Sequence, residues 1–352
     1  TTSLAEHQHL INALLTKLIR ILTWHDSILP DRWVSPSTGI MTPHLEALYF
    51  PDVLCNISYM GDLQKKRNAE LELIVEVASQ CKAAVITGPA AARWLGLSTY
   101  NWVTQIDLAL PGNSRTWGNK DPRRRYHGGI LTDQEYLVHK GVRTATAIRA
   151  MFDSFRYHGR TEALVQIESA RWKHRHLTTE YLLDKTATLP KARGIAGFRK
   201  LIEHATDTSA SVLETIVRDA ILRAIADGTL TGVVTLEFQV GLRIRERDGR
   251  PMMAWADILI NGFLVVEADG LEKTSGVMGD AASMLRDERE RETQLQNQGA
   301  VVRRVRWDRA TSTEFIASLQ TVIDSSPGVR ELPNRVDVNY RDWLEELEQR
   351  AA

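Results

Sequence analysis

The hydrophobic and polar pattern is clearest in the C-terminal half of the chain. A helix that ends at Gly228 is predicted for TSASVLETIVRDAILRAIADG, because an apolar stripe follows a Ser/Thr-rich start. Three β-branched, apolar runs predict strands, and they are VVTLEFQVGLRI, MMAWADILI and FLVVEADG. A charged helix over AASMLRDERERETQLQNQG and a strand over VVRRVRW follow. The predicted order of elements is therefore α-β-β-β-α-β.

The N-terminal half predicts mainly helices. Residues 4–24 have leucines at every fourth position, which is typical of an amphipathic helix, and residues 67–81 predict another. The segment TGPAAARWLGL predicts the end of a strand, a turn at Gly88-Pro89 and a helix that ends at Gly96.

Further along this half, the pattern alternates between one strand and two helices. A strand is predicted for residues 106–111. A helix entered through Thr144 and a second helix near 160–175 follow. With the C-terminal pattern, these elements predict a mixed α/β fold.

Composition indicates an ordinary globular protein. Hydrophobic residues make up 43% and charged residues 25% of the 352 residues, and no run approaches the ~20 apolar residues of a membrane span. No secretory pattern is visible at the start, so we expect a cytoplasmic protein without a membrane partner. Cys55 and Cys81 form no metal or disulfide pattern, and His174 and His176 lack further zinc ligands nearby.

The formal net charge of zero hides an asymmetry between the two halves. From Asp207 onwards there are 18 Lys and Arg against 25 Asp and Glu, which leaves 26 against 19 in the preceding part. One interpretation is that the basic N-terminal part binds nucleic acid and the acidic C-terminal part concentrates carboxylates. The other is a chance split, or charges that pair across an interface.

Three acids lie in or at the end of apolar predicted strands. Asp257 is in the second strand, and Glu267 and Asp269 are at the end of the third. Burial of such acids is costly, and clustered acids often bind a divalent metal through oxygen. The alternative is a set of solvent-exposed carboxylates at strand ends.

The loop between these two strands decides whether the acids share a face. A two-residue loop, Asn261-Gly262, would turn Asp257 away from Glu267. A three-residue loop, Ile260-Asn261-Gly262, would put all three acids on one face, with the glycine in the left-handed region. The sequence permits the metal-site geometry without requiring it.

The C-terminal half resembles the PD-(D/E)XK nuclease superfamily, and most of all its very-short-patch-repair-like endonuclease domains. The matching pieces are Ser211-x-x-Glu214-x-x-x-Arg218, Gln239, Asp257, Val266-Glu267-Ala268-Asp269-Gly270, Arg291-x-x-x-Leu295-x-x-x-Gly299 and VVRRVRW. The resemblance covers about residues 208–310. It implies a restriction-endonuclease-like α-β-β-β-α-β core after a mainly helical N-terminal region.

The resemblance also implies a metal-dependent DNA endonuclease. Asp257 and Glu267 would bind Mg²⁺, for which Mn²⁺ can substitute, and Glu214 would complete or orient the ligand shell. Asp269 would bind a second ion or position a water. Gln239 would hold a water or a backbone group, or it is a structural residue of the strand. Asp269 stands where the superfamily usually has a lysine, and Lys273 stands where this branch commonly has a histidine. Lys273 would then supply a positive charge to the scissile phosphate, or it is an ordinary loop lysine.

The N-terminal half resembles the AbiEi-like regions that precede such nuclease domains. The resemblance rests on ITGPAAARWLGL and VRTAT, and two stretches that mix cations with aromatic residues suit DNA contact. The candidate DNA-binding residues are Arg115, Arg123, Arg124, Arg125, Lys173, Arg175 and Arg291. Solvated loops, and for Arg291 a pair with a glutamate of its own helix, are the alternatives.

We therefore expect four regions. They are a helical region at 1–80 that is a candidate for a diverged winged helix, a basic AbiEi-like α/β region at 81–205 that is a candidate for binding DNA or a partner, the nuclease domain at 206–312 and a helical tail at 313–352. The expected partner is DNA, with a second copy of the chain or other defence-system proteins as further candidates. The expected role is defence against foreign DNA or DNA repair. The alternatives are a non-catalytic DNA-binding regulator on a nuclease-fold scaffold and an interaction subunit of a larger complex.

Overall fold

The chain folds around two mixed five-stranded sheets. The computed structural model describes residues 51–81, 83–112, 121–245, 249–269 and 281–351. The mixed α/β class predicted from the sequence is confirmed. The helix predicted for residues 4–24 lies outside the described residues.

The first sheet belongs to the N-terminal half. The elements of this half are α1 (Pro51–Gln80), β1 (Val85–Thr87), α2 (Gly88–Trp94), β2 (Ile106–Ala109), β3 (Arg124–His127), β4 (Tyr136–His139), β5 (Val142–Ala145), α3 (Ala147–Tyr157), α4 (Arg160–Lys173), α5 (Thr179–Lys185) and α6 (Ile195–His204). The strand order is β3-β2-β1-β5-β4, in which β1 is parallel to β5 and β2 is parallel to β3. The other neighbours are antiparallel.

The turn predicted at Gly88-Pro89 is wrong, because α2 begins directly after β1. Proline fits in the first helical turn, where its missing N–H has no partner within the helix. Gly88 has φ +59, and a Cβ there would lie 3.2 Å from the Asp107 carboxylate. The predicted end at Gly96 is confirmed, since its φ is +78 and the Leu97 N–H donates to the carbonyl of Ala92.

The helix predicted to enter through Thr144 begins later than expected. Thr144 lies in the buried strand β5, whose neighbours are β1 and β4. Thr146 is the N-cap residue of α3. The β-branched residues of Val142–Ala145 favour a strand where two neighbouring strands can pair with it.

The second sheet belongs to the C-terminal half. Its elements are α7 (Val212–Ala226), β6 (Leu236–Arg245), β7 (Pro251–Ile260), β8 (Leu264–Ala268), α8 (Ala281–Asn297), β9 (Val301–Val305), α9 (Thr313–Ser325), β10 (Arg335–Val336) and α10 (Tyr340–Ala351). The strand order is β10-β6-β7-β8-β9, with β8 and β9 parallel and the other neighbours antiparallel. The predicted α-β-β-β-α-β order is confirmed. Helix α8 joins β8 to β9, as a parallel pair requires a crossover.

Helices cover both faces of the second sheet. Helices α7 and α9 pack on one face through a large apolar cluster that includes Val217 and Leu319. Helix α8 packs on the other face, where Leu295 is buried in a smaller cluster with Val265. The acids of β7 and β8 therefore lie within a sheet that is covered on both sides.

Polar and aromatic contacts join the two halves. Arg218 of α7 donates to the buried Glu168 of α4, and Arg160 forms two hydrogen bonds with Asp219. Helix α10 also bridges the halves, since the Tyr340 ring lies 5.9 Å from Trp172 and 4.8 Å from Trp255 of β7.

Candidate active site

Glu214 is held in the first turn of α7. The Ser211 side chain accepts a hydrogen bond from the Glu214 N–H, and the Glu214 carboxylate accepts from the Ala210 N–H at 2.8 Å. Reciprocal bonds of this kind cap a helix N-terminus. The same carboxylate accepts from Gln239 of β6 at 2.9 Å, so Glu214 is directed from α7 towards the sheet.

Strand β6 changes face at Gln239. Leu236 and Phe238 pack on the α7 side of the sheet, whereas Val240 and Leu242 pack on the α8 side. Gln239 itself has φ +52, which is uncommon for a residue with a side chain and costs on the order of 1–3 kcal/mol. This local strain directs a buried amide to Glu214, and strain of this kind is typical of functional sites.

Strand β7 changes face at the neighbouring position. Ala254 and Ala256 belong to the apolar cluster on the α8 side, whereas Ile258 and Ile260 belong to the cluster on the α7 side. The change occurs at Asp257, which the register of β6 and β7 places opposite Gln239. Gln239 and Asp257 thus lie at the same level of the sheet. At this level, both strands interrupt the regular alternation of side chains between the two faces.

Asp257 and Glu267 are neighbours on adjacent strands. Ile258 pairs with Val266, so the register continued by one residue places Asp257 opposite Glu267. Both side chains are buried. The Asp257 carboxylate accepts a hydrogen bond of 2.9 Å from the Ala268 N–H, which brings it beside the backbone of Glu267.

Both hairpin registers considered from the sequence are wrong in detail. The loop is the three-residue Asn261-Gly262-Phe263, with φ +50 at Asn261 and +70 at Gly262. The buried Asn261 side chain accepts from the N–H groups of Val234 and Thr235 and fixes this turn. The parity nevertheless matches the three-residue alternative, because the continued register places Asp257 opposite Glu267.

Two arginines neutralise Glu267. One nitrogen of Arg291, from α8, donates to both carboxylate oxygens at 2.8 and 2.9 Å. Arg304 of β9 lies 3.5 Å from the same carboxylate and 3.3 Å from Glu292. A phosphate and a glutamate of its own helix were the expected partners of Arg291, and the pairing with an acid of the sheet was not among them.

The remaining predicted catalytic residues are near the end of β8 or outside the described part. The N–H of the half-buried Asp269 donates to the Val305 carbonyl at 2.9 Å, which extends the contact between β8 and β9. Lys273 lies outside the described residues.

The carboxylates suit Mg²⁺ by their chemistry. Among the described residues, no group of three or more His, Cys, Asp or Glu side chains could hold a metal ion. Mg²⁺ does not require three, because one or two carboxylates commonly bind it together with waters and substrate phosphates. Asp257 and Glu267 provide two buried carboxylates from opposite positions of adjacent strands, and oxygen donors of this kind fit the ion.

The candidate DNA-binding loop of the first half contains internal ion pairs. Arg123 contacts Asp121 at 3.0 Å and Glu76 at 2.5 Å, and Arg124 donates to Gln80. Arg125 is exposed. Arg115 lies outside the described residues.

The second predicted DNA-binding stretch is covered by α10. Arg175 pairs with Asp342 and Glu345, each at 2.7 Å, and Trp172 stacks near Tyr340. Lys173 donates to the Gly96 carbonyl, and its burial lowers its pKa to about 8. These residues act as contacts between elements in this structure.

The first sheet contains a histidine–aspartate cluster that the sequence pattern did not predict. Asp107 is buried, and its two carboxylate oxygens each lie 2.6 Å from an imidazole nitrogen, one of His127 and one of His158. Burial raises the pKa of Asp107, but the two hydrogen bonds outweigh it and the net shift is downwards. A sequence signal was present, since both histidines occur in the tetrapeptide Arg-Tyr-His-Gly.

Comparison with known proteins adds no assignment. No protein-family model, curated protein or solved structure matches this chain. Within the described ranges, none of the helices has the length and hydropathy required to cross a membrane.

Proposed function

We propose that the chain is a metal-dependent DNA endonuclease with a restriction-endonuclease-like core in its C-terminal half. One observation carries the proposal. Asp257 and Glu267 are both buried and lie at opposite positions of adjacent strands where the pairing of β7 with β8 ends, within the α-β-β-β-α-β order. Burial of two adjacent carboxylates is costly for stability alone, and a bound cation would offset that cost.

The roles of the residues follow from their positions. Asp257 and Glu267 would hold Mg²⁺, which when bound supplies a Lewis acid and lowers the pKa of a bound water. The Ala268 N–H orients Asp257, since it donates to one carboxylate oxygen. Gln239 holds Glu214 towards the same level of the sheet, where Glu214 would orient water beside the reacting phosphate.

Exposed arginines near the site support DNA as the substrate. Arg303, Arg306 and Arg309 are exposed on β9 and the segment after it. Strand β9 is parallel to β8, and its Val305 pairs with Ala268, the residue after Glu267. Arginines at such an edge would bind backbone phosphates and leave the scissile bond at the carboxylates.

A non-catalytic DNA-binding regulator is the second candidate. Arg291 and Arg304 already neutralise Glu267, and Glu214 is satisfied as a helix cap. A scaffold that had lost catalysis would keep these contacts for stability alone. The role in defence or repair stays a prediction from the resemblance.

Plasmid cleavage distinguishes the two candidates. We expect wild-type protein with Mg²⁺ or Mn²⁺ to nick or linearise plasmid DNA, and Asp257→Ala to be inactive. Asp107→Asn is the matched control, because it alters a buried aspartate in the other sheet. Inactivity of the wild type on several DNAs with either ion would favour the regulator.

A further inference from the structure

The pairing of Arg291 with Glu267 gives the candidate site an internal cation. A single guanidinium nitrogen lies 2.8 Å from one oxygen of Glu267 and 2.9 Å from the other. The arginine comes from α8, and the glutamate comes from β8. This contact therefore depends on the packing of the crossover helix against the sheet.

We propose that Arg291 is a displaceable counter-cation for Glu267. Without metal, its guanidinium neutralises the buried carboxylate. When metal binds Glu267, the guanidinium leaves the carboxylate and binds a phosphate of the DNA. This inference rests on the proposed function and assigns a metal-dependent DNA-binding role to Arg291.

Competition between the metal and Arg291 follows from charge and geometry. One nitrogen spans both oxygens of Glu267, so a cation that coordinates this carboxylate meets the guanidinium at either oxygen. A divalent ion and a guanidinium on one carboxylate also repel each other strongly in a partly buried site. The proximity of Asp257 adds negative charge, which favours the divalent ion over the single charge of arginine.

The anchoring of α8 allows the arginine to move alone. Leu295, one helical turn after Arg291, is buried in the cluster between α8 and the sheet. The helix therefore keeps its place while the long side chain of Arg291 changes partner. The released guanidinium retains its planar donor geometry, which suits a phosphate.

Arg304 differs from Arg291 and provides the matched control. It lies 3.5 Å from Glu267 and 3.3 Å from Glu292, so its charge is shared between two acids. Loss of Arg304 leaves the closer contact of Arg291 in place. A comparison of variants at the two positions therefore separates a general effect of positive charge on metal binding from competition between Arg291 and the metal for the Glu267 carboxylate.

The first test measures metal affinity without DNA. Mn²⁺ is titrated into wild type, Arg291→Gln, Arg291→Lys and Arg304→Gln by calorimetry or by the paramagnetic resonance of free Mn²⁺. We expect Arg291→Gln to bind Mn²⁺ on the order of 10-fold more tightly than wild type, a difference of ~1.4 kcal/mol. Arg304→Gln should change the affinity less, and Arg291→Lys should lie between wild type and Arg291→Gln because its charge is retained.

Equal or weaker Mn²⁺ binding by a folded Arg291→Gln protein would overturn the competition. Circular dichroism establishes that the variant is folded, and Arg291→Lys gives a second measurement if the glutamine variant does not fold. An Arg291→Lys protein that binds Mn²⁺ no more tightly than wild type would then overturn the inference.

The second test follows the released guanidinium. DNA affinity is measured against salt concentration in EDTA and in Ca²⁺, which takes oxygen ligands as Mg²⁺ does. For wild type, the slope of log affinity against log salt should steepen by ~0.9 in Ca²⁺, equivalent to one added phosphate contact. For Arg291→Gln the steepening should be absent, and equal steepening in both proteins would contradict the release.

Failure of this inference is distinguishable from failure of the proposed function. If wild type binds Mn²⁺ and cuts DNA but Arg291→Gln binds the ion no more tightly, only the role of Arg291 is overturned. If no variant binds Mn²⁺ and wild type does not cut DNA, the metal-dependent nuclease fails and the inference fails with it.

Discussion

Two buried acidic groups, one in each sheet, are neutralised by different means. In the first sheet, Asp107 is a single carboxylate between two imidazoles, with both contacts at 2.6 Å. In the second sheet, Asp257 and Glu267 are two adjacent carboxylates, one held by a backbone N–H and the other by Arg291.

This difference favours the pair Asp257 and Glu267 over Asp107 as the place where a further cation would bind. Each oxygen of Asp107 has an imidazole partner, and this arrangement stabilises the fold as long as the carboxyl is ionised. Two neighbouring acids concentrate negative charge, and the arginine contact with Glu267 comes from a side chain of another element, Arg291 of α8. We therefore propose the metal site in the second sheet and a structural role for the first cluster.

The largest effect is expected on DNA cleavage. Glu267→Gln should lower the cleavage rate on the order of 10³-fold, because a lost metal ligand removes several kcal/mol of transition-state stabilisation and each ~1.36 kcal/mol is tenfold. Asp107→Asn should cut DNA within a few-fold of wild type. Single-turnover plasmid cleavage measures both rates, and equal losses in the two variants would remove the distinction between the sheets.

A large effect on stability is expected at the contact between the halves. Glu168→Ala leaves the buried Arg218 without its closest carboxylate, which should lower the free energy of unfolding by ~3–5 kcal/mol. The exposed pair of Arg175 and Asp342 is the control, and Asp342→Ala should cost no more than ~1 kcal/mol. Urea denaturation measures both, and a similar small change for the two would mean that the buried pair does not hold the halves together.

Acid should reduce the stability that the histidine-bound aspartates contribute to the fold. Burial raises the pKa of Asp219, but hydrogen bonds from His204 and Arg160 outweigh it and lower the pKa to about 2. Because the folded pKa is depressed, this stabilisation is present above pH ~4 and is lost as the pH falls towards 2. The pKa of Asp107 is also lowered, so its contribution is lost in the same direction.

Protonation of Asp219 is expected to lower the free energy of unfolding by about 2 kcal/mol, since each unit of pKa shift is ~1.36 kcal/mol. Urea denaturation of wild type and Asp219→Asn between pH 2 and 6 measures it. The variant should show a flatter dependence on pH, and parallel curves for the two proteins would refute the assignment.

The smallest effect is expected from the basic loop of the first half. Arg123 and Arg124 are engaged in internal contacts, and Arg125 is exposed. Replacement of all three by alanine should therefore reduce the salt dependence of DNA binding by only ~0.9, about one phosphate contact. Fluorescence anisotropy at several salt concentrations gives the slope.

A matched triple variant of the second half sharpens this comparison. Arg303, Arg306 and Arg309 are all exposed, and their replacement should reduce the slope by up to ~2.7. A larger reduction from the first loop than from these arginines would place the DNA on the first half.

The sequence was sufficient for the order of elements in the second half but not for the register of its central hairpin. Helix and strand periods, and the glycines at 228 and 299, are local signals. The register depends on Asn261, whose side chain binds the N–H groups of Val234 and Thr235. No spacing near the turn reveals those contacts, because they come from another segment.

Acids within apolar strands drew attention to Asp257 and Glu267, and their role as a metal site stays a prediction. The electrostatic partners of these acids were not predicted. The pairing of Glu267 with Arg291 joins residues on different elements, and the change of face at Gln239 arises from a positive φ that glutamine rarely adopts. In the first sheet, the repeated Arg-Tyr-His-Gly was the only local trace of the Asp107 cluster.

The most direct test of the metal site is thermal denaturation of wild type and Asp257→Asn with and without Mn²⁺. The asparagine oxygen can still accept the hydrogen bond from the Ala268 N–H, so we expect similar melting temperatures without metal. With Mn²⁺, the wild-type melting temperature should rise with the logarithm of the ion concentration, and that of the variant should rise less. An identical response of the two proteins to Mn²⁺, or no response by the wild type, would contradict the assignment of Asp257 to a metal site.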